Sequence, residues 1–299
     1  IQVGITVRLR GRHLVSHDGT VDSTGVMLWP ASHLLCQYFA SCASINHQIN
    51  DYLLYQKPGT RMIEFGCGCG ISSIMAALTR CASYIVCTDV DLDAISLCQL
   101  NISSFLNNNN NNIMKEGIVL QTERLSWGDV DEMDMILSRL PSNSPCEGDT
   151  GVCGVGFDVA IGADIVYPST SGQTLNLLLQ SVKYMIHPVT GFFLLSFISR
   201  DSFRSPLRLI QACNENGFKI ECIDESKFCS PSNNTLPPLM GAKLLLLRPC
   251  SNDSASQNNE ALGDDNCKIF PGIRSSLLRF SEETSEEEWA APPYNDTEE

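Results

Sequence analysis

RMIEFGCGCGISSIMAALTRCASYIVCTD, residues 61–89, is the stretch on which the fold turns. RMIEF is a short apolar strand, and ISSIMAALTR carries Ile71, Ile74, Met75 and Leu78 at helical spacing. SYIVCTD is a second apolar strand that closes on an acid, Asp89. The turn between first strand and helix, EFGCGCG (64–70), holds three glycines and two cysteines. Strand, glycine loop, helix and strand in that order open a doubly wound α/β sheet.

Three ligands compete for the glycine loop. A metal would need more than Cys67 and Cys69. No Cys-x-x-Cys or His pair stands at zinc spacing, and Cys146 and Cys153 sit in a loop of unrelated spacing. A dinucleotide loop would read Gly-x-Gly-x-x-Gly, but the glycines are Gly66, Gly68 and Gly70, and the expected third position holds Ile71. No Gly-Lys-Ser/Thr follows, so a phosphate loop fails. What stands here is acid-x-Gly-x-Gly-x-Gly, led by Glu64. A carboxylate beside an open backbone suits a ligand with a cationic amino group and a sulfonium, which S-adenosyl-L-methionine carries. Asp89 follows Gly70 by nineteen residues, where a doubly wound sheet places a carboxylate for ribose hydroxyls.

The alternation continues on both sides. IQVGITVRLR and HLVSHDGTVD read as an N-terminal hairpin, and WPASHLLCQYFASC as a helix with Pro30 in its first turn. DLDAISLCQLNISSFL is the next helix, acids first. GIVLQTERL and FDVAIGADIVY give the third and fourth strands, the latter with a polar carboxyl end. A helix with Leu175, Leu178, Leu179 and Val182, strand GFFLLSFIS and helix SPLRLIQACNENG follow. FKIECI and AKLLLLRP read as consecutive strands with no helix between them, so an antiparallel strand is expected at the end of a largely parallel sheet. Three regions follow: 1–58, strands and helix on the core; 59–250, the core, with insertions at 107–112 and 138–156; and 251–299, an acidic tail expected to be disordered.

The bulk numbers set limits on function. Of the net charge of −14, residues from 251 onward carry −9 (twelve Asp/Glu against three Lys/Arg). The mildly acidic body that remains argues against a nucleic-acid groove and suits a basic or lysine-bearing partner. No run of eighteen apolar residues occurs, so no membrane span is expected. Fourteen cysteines, most of them inside apolar runs (Cys81, Cys87, Cys98, Cys213, Cys222), read as small hydrophobes of a reduced, intracellular protein. The sequons at Asn101, Asn233, Asn252 and Asn295 are what Asn-rich sequence produces by chance.

Further motifs accompany the EFGCGCG…CTDVD pair: TGVMLWPAS (24–32), LSWGD (125–129) and GADIVYPS (162–169). Together they resemble the family-16 seven-β-strand protein methyltransferases, which include lysine methyltransferases of chaperones and translation factors. The similarity spans roughly residues 1–250, and Asp-Ile-Val-Tyr at 164–167 looks like that family's Asp-x-x-Tyr motif. The resemblance implies a Rossmann-like, seven-stranded class I methyltransferase fold with S-adenosyl-L-methionine as cofactor. It puts Trp29 beside the cofactor, Glu64, Gly66 and Gly68 along its methionine end, Asp89 on the ribose and Trp127 against the adenine, with Gly70 and Ala163 also on the cofactor side. Asp164 and Tyr167 would face the substrate amine, with no metal involved.

Each assignment has a plainer alternative. Asp164 would cap the helix starting near Ser169, Tyr167, Trp29 and Trp127 would be packing aromatics, and Glu64 would bond turn amides. The expected activity is methyl transfer to a protein lysine, in the cytoplasm or nucleus, by a monomer. Arginine or histidine as acceptor, and an inactive cofactor-binding module, stay open beside it.

Overall fold

A computed structural model describes residues 24–44, 59–107, 117–141, 155–201, 204–224, 228 and 242–250. The expected N-terminal hairpin, the asparagine run beyond residue 107, most of the 138–156 insertion and the acidic tail lie outside the described residues. The chain divides into two units, residues 1–258 and 259–299, and all described residues belong to the first.

Seven strands form one sheet: β1 Arg61–Phe65, β2 Tyr84–Asp89, β3 Val119–Arg124, β4 Val159–Ala163, β5 Phe192–Ile198, β6 Phe218–Ile223 and β7 Ala242–Pro249. Their order is β3-β2-β1-β4-β5-β7-β6. β1 to β5 pair in parallel, whereas β7 runs antiparallel to both β5 and β6. The expected antiparallel strand is therefore the last in sequence, inserted between β5 and β6. This is the Rossmann-like, seven-stranded sheet that the resemblance implies.

β1 lies at the centre, with Ile63 opposite Val86 on one side and Ala160 on the other, and all five of its residues are buried. On one sheet face, Met62, Ile85, Cys87, Ile161 and Leu194 join a core with α1 (Pro30–Ser44), α2 (Ile71–Leu78) and α3 (Leu92–Asn107). The alternate residues Ile63, Phe65, Val86, Phe193 and Leu195 are equally buried, and Phe65 meets Phe193 edge-on. Burial on both faces turns these strands into apolar runs. α4 (Val130–Ser138), α5 (Gly172–Met185) and α6 (Arg204–Glu215) follow one another in contact as a second helical layer.

Two expectations need correction, and one element goes beyond them. The fourth strand ends at Ala163, four residues short of FDVAIGADIVY, because Asp164 takes a left-handed backbone (φ 59) that leaves the sheet. Cys222 is exposed, since β6 alternates between buried and open residues. α4 was not read from the sequence at all. Among the described residues no helix is long and apolar enough to cross a membrane.

Candidate active site

The glycine loop follows β1 with left-handed backbone at all three glycines: φ 65 at Gly66, 50 at Gly68 and 83 at Gly70. Only glycine takes three such positions without strain. Protein also fills the space where their side chains would be. A Cβ on Gly66 would meet Ile165 Cγ2 at 2.6 Å, one on Gly68 the Gly25 carbonyl oxygen at 2.9 Å, and one on Gly70 Cys98 Sγ at 2.5 Å. The TGV segment before α1 thus lies directly on the loop. Cys67 and Cys69 are buried in apolar clusters, Cys69 with Val26 and Leu97. Although a hydrogen bond with Cys98 works the other way, burial pushes the Cys67 thiol up to about 12, which leaves it a neutral filler. Among the described residues no group of three or more His, Cys, Asp or Glu side chains could hold a metal ion.

Two acids flank the loop and face different ways. Glu64 shares a strand face with Met62 and points at α2, where its Oε2 accepts from Ser73 Oγ (2.5 Å) and Ser73 N–H (3.2 Å). It is 1% exposed, and burial pushes its carboxyl up to about 7 against the pull of Ser73. The plainer reading has Glu64 bonding the turn amides; its contacts are instead the hydroxyl and amide of Ser73 in the first turn of α2. Asp89, partly exposed at the carboxyl end of β2, accepts from Gly68 N–H through Oδ2 (3.0 Å) and from Asp91 N–H through Oδ1 (3.1 Å). Burial raises its carboxyl above the usual range while those amides oppose the shift. Each oxygen keeps a further lone pair, enough for two hydroxyl donors. That acceptor capacity, at the carboxyl end of β2 against the glycine loop, fits the ribose of S-adenosyl-L-methionine. Trp127, in the turn after β3, is half-buried.

Beyond β4, Ala163 is buried and Asp164 has a side chain with no exposed surface. Asp164 does not cap a helix, since Ser171 caps α5 by accepting from Thr174 N–H. Instead Arg200, after β5, forks onto it: Nη1 to Oδ1 at 2.7 Å and Nη2 to Oδ2 at 2.6 Å. Ala31 N–H adds a long contact to Oδ2 (3.4 Å). The Arg200 Cζ stands 5.4 Å from the centre of the half-buried Trp29 ring. Tyr167 is 45% exposed on a turn that Arg208 of α6 holds through the Pro168 and Thr170 carbonyls. The structure therefore gathers Trp29, Ala163 and Asp164 around β4 and β5, and Gly66, Gly68, Gly70 and Asp89 around β1 and β2. Neither Arg200 nor Arg208 has a sequence signature: one follows an apolar strand and the other sits within an amphipathic helix, as ordinary surface charges do.

The strand order is that of the class I methyltransferase fold. Residues 9–140 match the family model Methyltransf_16, described as lysine methyltransferase. The resemblance carried by TGVMLWPAS, EFGCGCG, CTDVD and LSWGD is borne out over that segment, while Asp164 and Tyr167 fall beyond it. S-adenosyl-L-methionine is the cofactor that goes with the match. Methyltransferase-like protein 22 of Mus musculus is 32% identical over 80 residues, covering 26% of this chain and 19% of that one. Its Homo sapiens counterpart is 34% identical, covering 26% and 18%. The chain thus matches about a fifth of these relatives' length. Among solved structures, a ribosomal protein L11 methylase from Lactobacillus delbrueckii subsp. bulgaricus aligns at TM-score 0.40 and 15% identity, over 72% of this chain and 77% of that one. A SAM-dependent methyltransferase from Methanosarcina mazei aligns at 0.42 and 11%, over 66% and 96%. Scores of this size add nothing to the strand order.

Proposed function

We propose that this S-adenosyl-L-methionine-dependent methyltransferase acts on a lysine side chain of a protein substrate. The observation that carries the reading is the pairing of a ribose-competent acid, Asp89, with an acid and an aromatic, Asp164 and Tyr167, across one carboxyl edge. The cofactor supplies an activated methyl group. Asp89 would hold the ribose, Trp127 the adenine face, and the Gly66–Gly70 backbone with Trp29 and Ala163 the methionine end. Glu64 would keep the loop in shape from beneath. On the acceptor side, the half-exposed Tyr167 ring would pack on the incoming amine, and Asp164, paired with Arg200, would help shape the edge that the amine meets. Such a site works mainly by alignment, which the short turns after β1, β2 and β4 support.

The substrate class follows the family's lysine enzymes, with chaperones and translation factors as first candidates. The reading keeps a monomer in the cytoplasm or nucleus, and none of the ten described cysteines stands in a disulfide. One observation favours a second reading: with both Asp164 oxygens held by Arg200, the chain would be a cofactor-binding module without turnover.

The deciding experiment transfers a tritiated methyl group into lysate from cells lacking the protein, then identifies the labelled band and residue by mass spectrometry. Wild type should label a lysine, Asp89→Ala should weaken cofactor binding, and Asp164→Asn should bind cofactor but label poorly. Cofactor binding without any label selects the second reading. Label on arginine or histidine ends the lysine assignment.

A further inference from the structure

Arg200 ties together three segments that reach the carboxyl edge separately. Its fork takes Oδ1 and Oδ2 of Asp164, and its guanidinium lies over Trp29, just before α1. Around it, Ser196 Oγ donates to the Ala31 carbonyl (2.7 Å) and Asp164 N–H donates to the Ser196 carbonyl (2.9 Å). The start of α1, the end of β4 and β5 are therefore already tied by neutral hydrogen bonds, and Arg200 adds the charged one. A bidentate guanidinium–carboxylate pair is directional as well as strong. The Asp164 side chain is wholly covered, whereas that of Arg200 is 31% exposed. An amine approaching this edge meets Tyr167 and the Arg200–Trp29 stack, with no open Asp164 oxygen.

We propose that Arg200 is a positioning residue of the acceptor site, and that Asp164 acts through it by fixing the guanidinium and the Trp29 ring instead of touching the amine. This rests on the methyl-transfer reading above and changes only how Asp164 contributes to it. A lysine at 200 would keep the charge and lose the fork. Glutamine would lose both and leave Asp164 buried without its counter-ion, which destabilises a fold. The double variant Asp164→Asn/Arg200→Gln removes that burden.

Full-length wild type, Arg200→Lys, Arg200→Gln and the double variant are compared for cofactor affinity by calorimetry, for melting temperature, and for kcat and KM on the protein band that wild type labels. The expected result for Arg200→Gln is a kcat lower by about 10- to 100-fold, with a much smaller loss of cofactor affinity through the Trp29 ring. Arg200→Lys should recover part of that loss. The double variant should regain melting temperature without regaining kcat, which a merely structural role would not produce. Wild-type kcat in Arg200→Gln overturns the inference and leaves the methyl-transfer reading standing. So does a loss of affinity, melting temperature and kcat that the double variant restores together. A wild type that binds cofactor and labels nothing overturns both.

Discussion

Glu64 carries a cost that the residues around it only partly offset. Its carboxyl is pushed up to about 7 by burial, above the unfolded value near 4.5. The folded state therefore binds the proton more tightly than the unfolded chain does. Stability from this group is complete below the unfolded value and is lost as pH rises through about 7, a change on the order of 3 kcal/mol. Glu64→Gln keeps an oxygen for Ser73 and removes the titration. Its melting temperature should fall less than that of wild type between pH 5 and 8, while cofactor affinity stays within about threefold. A collapse of cofactor binding in Glu64→Gln would instead return Glu64 to the cofactor's cationic end. The sequence showed both acids around the loop but not which way each points. β1 is buried on both faces, so alternation along it carries no sign of inside or outside. Arg200 was illegible for a different reason: its partners lie 36 and more positions away, and a lone arginine after a strand has no local signature.

The glycine loop and α3 are fitted to each other as one piece. Gly70 has φ 83, and any side chain there would run into Cys98 Sγ. Asn101, one turn further along α3, donates from Nδ2 to the Cys69 carbonyl (2.9 Å), which makes this sequon residue a structural one. Gly70→Ala should cost about 2–3 kcal/mol in urea unfolding, from backbone strain plus the clash. In a Cys98→Ala background the same change should cost about 1 kcal/mol less, because the clash is gone and only the strain remains. Equal costs in the two backgrounds would show that the thiol gives way freely. α4 teaches a second lesson at this scale. Asp129 Oδ1 accepts from Glu132 N–H (3.0 Å), and Met133 and Ile136 are its buried residues. The signal was legible as an Asp three residues before a Glu, ahead of an i, i+3 apolar pair. It is short and crowded with acids, which let the polar insertion after it dominate the reading. Asp129→Ala should lower stability by about 1 kcal/mol, measured by chemical denaturation.

For the molecule as a whole, strand–helix alternation was enough to anticipate a parallel sheet, and the lack of a helical pattern in the sequence before AKLLLLRP was enough to anticipate the antiparallel strand. The position of β7 between β5 and β6 was beyond reach, because pairing order depends on long-range contacts that leave no periodicity. The carboxyl edge that results joins the turns after β1 and β2, which hold Gly66, Gly68, Gly70 and Asp89 of the candidate cofactor residues, to those after β4 and β5, which hold the candidate acceptor residues Asp164 and Tyr167 with Arg200. That division predicts how the whole fold responds to ligand. S-adenosyl-L-methionine at a hundred times its dissociation constant adds about 2.7 kcal/mol to a protein that binds it only when folded. For a domain of this size the melting temperature should rise by about 5–10 °C. Asp89→Ala should erase most of that rise at the same ligand concentration, since it removes the oxygens offered to the ribose. Asp164→Asn should keep it, since Asp164 belongs to the other half of the edge. The two variants thus separate the halves in a single melting experiment that needs no knowledge of the substrate. A rise lost equally in both would mean that the Arg200–Asp164 pair shapes the cofactor half as well, and that the edge works as one unit.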